Sequence, residues 1–256
     1  MNQEYKKELI QRGIDNGNFP KLLYKYRTID QAKQILDNFS FWFATPDTFN
    51  DPFDCGLSEN PAPTLDDART HFKRLNIAEK TIEQSIEWLE INPEKLTELV
   101  KNAKEKSIYT KGVLSLSERF DDILMWSHYS QYHQGTVFGL DMEADLDFFV
   151  TPIRIDYKDS YEELNYLANP EKSTIDTLKI KSSQWSYERE IRIYKNKSGL
   201  HKINEKAIRE VYFGINTTQE DIDEIREICR SKSLTNINFF KGEKAHGSFR
   251  VEFKAL

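Results

Sequence analysis

The densest run of side chains able to do chemistry is Trp185-Ser186-Tyr187-Glu188-Arg189-Glu190-Ile191-Arg192. Read as a strand over 188–194, residues two apart share a face. Glu188, Glu190 and Arg192 then line one side and Ile191 and Ile193 the other. Two carboxylates beside an arginine are a poor choice for a sheet face buried for stability alone. Such a pair can hydrogen-bond ribose hydroxyls, stabilise a cationic transition state or hold a metal. A solvated row of surface ion pairs explains the same pattern about as well.

Three further clusters follow. In Tyr24-Lys25-Tyr26-Arg27 the cations fall on one strand face and the tyrosines on the other. Cations beside aromatic rings suit a phosphate or nucleotide, because arginine grips phosphate oxygens with two parallel donors. Phe49-Asn50-Asp51-Pro52-Phe53-Asp54 reads mainly as a turn fixed by Asn and Asp before proline, with Asp51 free to orient a ligand. Ser115-Leu116-Ser117 and Met125-Trp126-Ser127-His128-Tyr129 add hydroxyls and stackable rings, although Met125 and Trp126 also read as core. His128 and His133 are five apart, off the four-residue spacing of a helical metal pair, and no cysteine accompanies them. No metal site is assigned, and no dinucleotide fingerprint, P-loop or nucleophile elbow occurs.

The elements that must position these residues can be read from periodicity. Strands are expected at 22–27, 41–45, 113–117, 136–140, 152–157, 188–194, 208–213, 237–240 and 249–253. Helices are expected over 1–18, ended by Gly13 and Gly17, from Ile29 after a Thr28 cap, over 121–134 up to Gly135, and around 172–183. A last one runs to Arg230 behind a Thr217–Glu220 capping box. Between Gly56 and Gly112 no glycine occurs, and Ile82, Ile86, Leu89, Leu96, Leu99, Val100 and Ala103 recur at helical spacing. Residues 62–108 are therefore a helical insertion in a single domain, 1–256. The class is α+β with a mixed or antiparallel sheet core.

Composition narrows the function classes. The net charge of −6 argues against general nucleic-acid coating. Two cysteines cannot build a disulfide framework, which points to a reducing, cytoplasmic setting. No run approaches the roughly 18 apolar residues of a membrane span, so no membrane partner is expected.

Taken in order, Tyr24-Lys25-Tyr26-Arg27, Phe41-Trp42-Phe43, Phe49-Asn50-Asp51-Pro52-Phe53-Asp54, Ser115-Leu116-Ser117-Glu118, Met125-Trp126-Ser127-His128-Tyr129, Gly135 and Trp185-x-x-Glu188-x-Glu190-x-Arg192 resemble a widespread bacterial family of uncharacterised proteins carrying those blocks. The likeness spans about residues 20–215. That family in turn resembles the ADP-ribosyltransferase superfamily, which implies a split β-sandwich and NAD as substrate. It implies Glu190 and Glu188 as the catalytic carboxylates. It further implies Lys25, Tyr26, Arg27, Ser115, Ser117, Trp126, His128 and Tyr129 around the nucleotide. Glu190 would stabilise an oxocarbenium-like ribose and Glu188 would serve the acceptor, a protein or nucleic acid. Lys25 and Arg27 would hold the pyrophosphate, and Tyr129 or Trp126 would stack on nicotinamide. Lys25 stands where the superfamily's Tyr-His-Tyr form has histidine. A toxin or phage-defence role belongs to the same resemblance.

Two other readings fit the residues. In one, Asp51, Asp54, Glu188 and Glu190 are hard oxygen ligands of a metal-dependent nuclease, with Lys25 on the scissile phosphate. In the other, the charged groove is a non-catalytic module that recognises a nucleotide or a partner.

Overall fold

The computed structural model describes residues 3–256. The first two residues of the N-terminal helix expected over 1–18 lie outside that range. Its strands are β1 (Leu22–Arg27), β2 (Ser40–Phe43), β3 (Gly112–Ser117), β4 (Thr136–Asp141), β5 (Pro152–Arg154), β6 (Asp156–Lys158), β7 (Ile180–Ser182), β8 (Glu190–Lys195), β9 (Gly199–Lys202), β10 (Ile208–Phe213), β11 (Asn238–Lys244) and β12 (Val251–Ala255). The α-helices are α1 (Gln3–Asp15), α2 (Ile29–Asn38), α3 (Leu65–Arg74), α4 (Glu79–Ile91), α5 (Glu94–Ile108), α6 (Ile123–Tyr129), α7 (Pro170–Lys179) and α8 (Gln219–Ser231).

Eight strands form one mixed sheet in the order β12-β11-β10-β4-β1-β3-β8-β5, in which only β10 and β11 run parallel. Two small sheets, β2-β9 and β6-β7, flank it. The α+β class with a mixed sheet is therefore as the periodicity predicts. Alternation along the strands sorts the side chains. Leu23, Leu114, Leu116, Phe138, Leu140, Ile191 and Ile193 turn to one face and pack with Ala32, Ile35 and Leu36 of α2 and Ile222 and Ile225 of α8. Burial of such apolar surface stabilises by about 25 cal/mol per Å². The opposite face carries two separate clusters. Tyr26, Trp126, Val137 and Tyr212 form an aromatic one. The apolar stripes of α3, α4 and α5 close over Cys55, Val113, Tyr166 and Leu178 to form the other.

β3 pairs with β8 over its whole length but with β1 at a single position, Tyr24 opposite Ser117. The sheet thus comes apart between β1 and β3, between the two clusters, and this is where polar side chains collect.

Several boundaries differ from the sequence reading. Glu188 is not on the strand: it ends a 3₁₀ turn, Ser183–Glu188, and Arg189 follows in the left-handed region at φ 43°. Only Glu190 and Arg192 share the strand face. The helix expected around 172–183 stops at Lys179, because Ile180–Ser182 pairs in parallel with β6. The strand expected over 152–157 is two, since Ile155 donates its N–H to the Glu190 carbonyl and separates β5 from β6. The helix expected to reach Gln134 ends at Tyr129, and Gln131, Tyr132 and His133 then take positive φ in succession. Gly135 after them is required by contact: a Cβ there would lie 2.2 Å from the Arg27 carbonyl oxygen. Gly13 lies inside α1 rather than at its end. The cap of α8 is Thr218, whose side chain accepts from Asp221, whereas Thr217 donates to the Gly135 carbonyl.

Candidate functional site

A cavity of about 1340 Å³ opens along the gap between β1 and β3. Single small-molecule pockets run roughly 300–1,000 Å³, so this one has room for a dinucleotide and part of a second substrate. Its wall takes Lys25 and Arg27 from β1, Ser115 and Ser117 from β3, His128 and Tyr129 from α6, and Glu188 and Glu190 from either side of the left-handed Arg189. Tyr26 also reaches the wall while packing edge-on against Trp126.

Trp126 does not reach it. The indole is fully buried in the aromatic cluster and donates its N–H to the Phe120 carbonyl. Tyr129, the other ring that the resemblance offers for stacking, lies one helical turn further along α6 and does line the wall.

At one end of the cavity lies a buried charge cluster. Arg192 is wholly inaccessible. Its Nε donates to Glu190 Oε1 at 2.7 Å and its Nη2 to Asp54 Oδ2 at 2.6 Å. Its Nη1 meets Cys55 Sγ and the Leu178 carbonyl. Lys181 donates to Glu188 Oε2 at 2.6 Å and Glu190 Oε2 at 3.1 Å, and stands 3.3 Å from Asp54 Oδ2. Tyr129 donates its phenolic proton to Glu188 Oε1 at 2.6 Å. Tyr157 accepts the main-chain N–H of Glu190, and Ser117 Oγ donates to the Glu188 carbonyl. Asp54, Lys181, Glu188, Glu190 and Arg192 are all buried. Charges this deep persist only when paired and hydrogen-bonded, which each of these is.

The two glutamates differ in their surroundings. Burial pushes the Glu190 carboxyl up, but Arg192 and Lys181 outweigh it and hold the group well below the usual carboxylate range. Glu188 is pushed the other way, by burial and by the negative charge of Glu190, against the pull of Lys181 and Tyr129. One carboxylate is a fixed anion, and its neighbour takes up a proton more readily than a free glutamate. A pair driven apart in this way is the arrangement that acid–base chemistry uses.

The β1 cations are placed oppositely. Among the described residues neither Lys25 nor Arg27 has an ion-pair partner; Lys25 donates to the Ser115 carbonyl and Arg27 to that of Tyr26. Burial, reinforced by Arg27, drives the Lys25 ammonium well below its ordinary range. Burial lowers the Arg27 guanidinium to about 10. Two half-buried cations with no carboxylate at ion-pair distance make a cavity wall suited to an anion.

Two members of the cluster, Lys181 and Tyr157, are not singled out by the sequence as site residues, and Asp54 is named only as a metal ligand in the nuclease reading. Lys181 falls inside the expected helix, Asp54 in a loop read mainly as a turn, and Tyr157 at the end of a strand. The repeated acid in Asp51-Pro52-Phe53-Asp54 was the available signal for Asp54. Asp51 itself is turned away from the cluster: its side chain closes the turn by accepting the Phe53 N–H at 2.9 Å. Among the described residues no group of three or more His, Cys, Asp or Glu side chains is arranged to hold a metal ion. Likewise no described helix is long and apolar enough to cross a membrane. No protein-family model, curated protein or solved structure matches the chain.

Proposed function

We propose that the protein binds NAD in the β1–β3 cavity and breaks its nicotinamide–ribose bond, passing ADP-ribose to water or to an acceptor. The observation that carries this reading is the polarity of the cavity. Unpaired cations, Lys25 and Arg27, form one part of its wall, and the carboxylates Glu188 and Glu190 form another. NAD carries an anionic pyrophosphate and a cationic nicotinamide, so its charge distribution complements such a wall. The Glu-x-Glu sequence is the feature that this reading takes from the ADP-ribosyltransferase resemblance.

The chemistry follows from the two carboxyl environments. As the C1′–N bond lengthens, nicotinamide leaves with the bonding pair and positive charge grows on the ribose. Glu190, held ionised, supplies a fixed negative field to that oxocarbenium-like state, as carboxylates do in glycoside hydrolysis. The incoming water or acceptor forms the new bond to C1′ and gives up its proton. Glu188, at the raised end of the pair, is placed to receive it. Tyr129 provides a flat ring for the departing nicotinamide.

The metal-dependent reading is less well supported, because Asp54, Glu188 and Glu190 already accept from Lys181 and Arg192, and Asp51 is spent on its turn. The deciding experiment measures nicotinamide release from NAD by the purified protein, with calorimetric binding alongside. Glu190→Gln should lower the rate about 100- to 1,000-fold, the usual cost of one well-placed stabilising group. If wild type neither binds NAD at millimolar concentration nor releases nicotinamide, the reading fails and a binding module for another anionic ligand takes its place.

A further inference from the structure

We propose that Lys181 is the positioning residue of this site: it holds the carboxylates of Glu188 and Glu190 together at the cavity wall, and Asp54 holds Lys181. The inference deepens the functional reading above and rests on it for its catalytic meaning, but the geometry stands without it. Glu188 and Glu190 arrive from different elements, a 3₁₀ turn and β8, with a left-handed residue between them. No main-chain regularity therefore brings their carboxylates together. What does is one nitrogen: Lys181 Nζ donates to Oε2 of both, at 2.6 and 3.1 Å.

Lys181 is itself oriented on three sides. Asp54 Oδ2 lies 3.3 Å from the ammonium, and the Trp185 ring lies beneath it, 5.2 Å to the centroid. The parallel pairing of β7 with β6 fixes its main chain, Tyr157 standing opposite Lys181. The charge count gives the arrangement a consequence. Three acids, Asp54, Glu188 and Glu190, share two bases, Lys181 and Arg192. Only Arg192 is dedicated to Glu190 and Asp54, with no hydrogen bond to Glu188. Lys181 alone offsets the charge of Glu188 and separates it electrostatically from Glu190.

Replacing Lys181 with a neutral side chain leaves Glu188 facing Glu190 with no cation of its own, Arg192 remaining on Glu190, and like charges in that position share a proton. The other groups facing Glu188 are Tyr129 from α6, Tyr187 beside it in the 3₁₀ turn, Tyr157 from β6 and, at longer range, Lys25 from β1. None of these substitutes for a direct ammonium. Neutral phenols donate a proton but carry no charge, and Lys25 is turned to the Ser115 carbonyl.

The test follows the carboxyl ¹³C resonances of glutamate-labelled full-length protein against pH, with the Glu188 signal assigned by its absence in Glu188→Gln. Lys181→Met keeps most of the side-chain volume. It should move the Glu188 titration up by at least one pH unit, and Lys181→Arg should restore it to within a few tenths. An unchanged midpoint in a folded Lys181→Met protein overturns the proposal. Should that variant not fold, the wild-type Lys181 ¹⁵Nζ resonance carries the test instead: it must move in step with Glu188, and an independent titration overturns the proposal. Nicotinamide release separates the two readings. With NAD activity, Lys181→Met should lower kcat while KM stays within about twofold. A shifted titration in a protein without NAD activity keeps the positioning role and removes the NAD reading.

Discussion

Lys25 on β1 donates from its ammonium to the main-chain carbonyl of Ser115 on β3. The two strands pair at one position only, so a side chain spans the place where ladder hydrogen bonds would otherwise run. The sheet stays open there and the carbonyl remains satisfied, but a half-buried cation is left with no acid at ion-pair distance among the described residues.

Such an arrangement favours binding over stability. Lys25→Met should raise the stability of the ligand-free protein by about 0.5–2 kcal/mol, the usual yield of one stabilising substitution. It should also weaken binding of NAD or ADP-ribose by at least tenfold. The sign with pH follows from the lowered Lys25 value. Below the folded pKa the folded form carries the full cost of the buried charge. The cost fades as pH rises from there toward the ordinary lysine value. Urea melts of both proteins should therefore converge as the pH is raised toward 10. A variant less stable than wild type at neutral pH would show that the Ser115 contact outweighs the burial cost.

The Arg192 guanidinium is the opposite case, a buried cation with acids on it. Arg192→Leu leaves Asp54 and Glu190 without their main partner. Breaking a buried pair on one side costs about 3–5 kcal/mol, a large part of a domain's net stability. Denaturant titration at pH 7 should show that loss or an unfolded protein. A loss under 1 kcal/mol would mean that Lys181 alone holds the acids.

Much of the fold was legible because alternation and helical periodicity come from burial, and burial here is simple. Leu114 and Leu116 against Ser115 and Ser117 mark a strand with one apolar face, and α2 announces itself by Ala32, Ile35 and Leu36 behind a Thr28 cap. The site was legible in residue types but not in its wiring. Lys181 looks like any exposed lysine near a helix end, and its role arises from the parallel pairing of β6 and β7, a long-range contact that leaves no local pattern. The left-handed turn at Arg189 was invisible for a related reason, since alternating charges fit a strand equally well.

The two glutamates should affect acid stability in opposite directions. Glu190 has a depressed folded pKa, so its contribution is present above the ordinary glutamate value and is lost as pH falls through the folded one. Glu188 has a raised folded pKa, so the folded state binds the extra proton. Stability from this group falls as pH rises from the ordinary value through the folded one. At pH 7, Glu190→Gln should destabilise and Glu188→Gln should stabilise or leave stability unchanged, with both differences shrinking near pH 3. Thermal melts across pH 3–8 check this, and a Glu188→Gln protein clearly weaker than wild type at pH 7 would contradict it.

Tyr129→Phe removes the phenolic donor to Glu188 Oε1 and little else, since the ring remains. A hydrogen bond to a charged group contributes about 1.5–3 kcal/mol, and this one favours the ionised carboxyl. The Glu188 titration should therefore move upward, and the acid limb of any nicotinamide-release profile should move with it. An unmoved titration would place the phenol's contribution in packing alone.

Arg189 gives a test of the local geometry that separates strand from turn by sign. Its side chain is exposed, its N–H donates to the Ser186 carbonyl, and its own carbonyl accepts from Glu118. At φ 43° an L-residue meets its own following carbonyl, a cost of about 1–2 kcal/mol that glycine avoids. In an extended strand the preference reverses: valine fits the pleat, and glycine costs about 0.5–1 kcal/mol in lost ordering. Arg189→Gly should therefore be neutral or stabilising, and Arg189→Val should destabilise by more than 1 kcal/mol. The valine variant should also displace Glu188 from Lys181 and Tyr129, because a strand register would carry its carboxylate along β8. Denaturant melts of the two variants give the order of stability. Valine above glycine would put Glu188 back on the strand and take away the geometry on which the carboxylate pair depends.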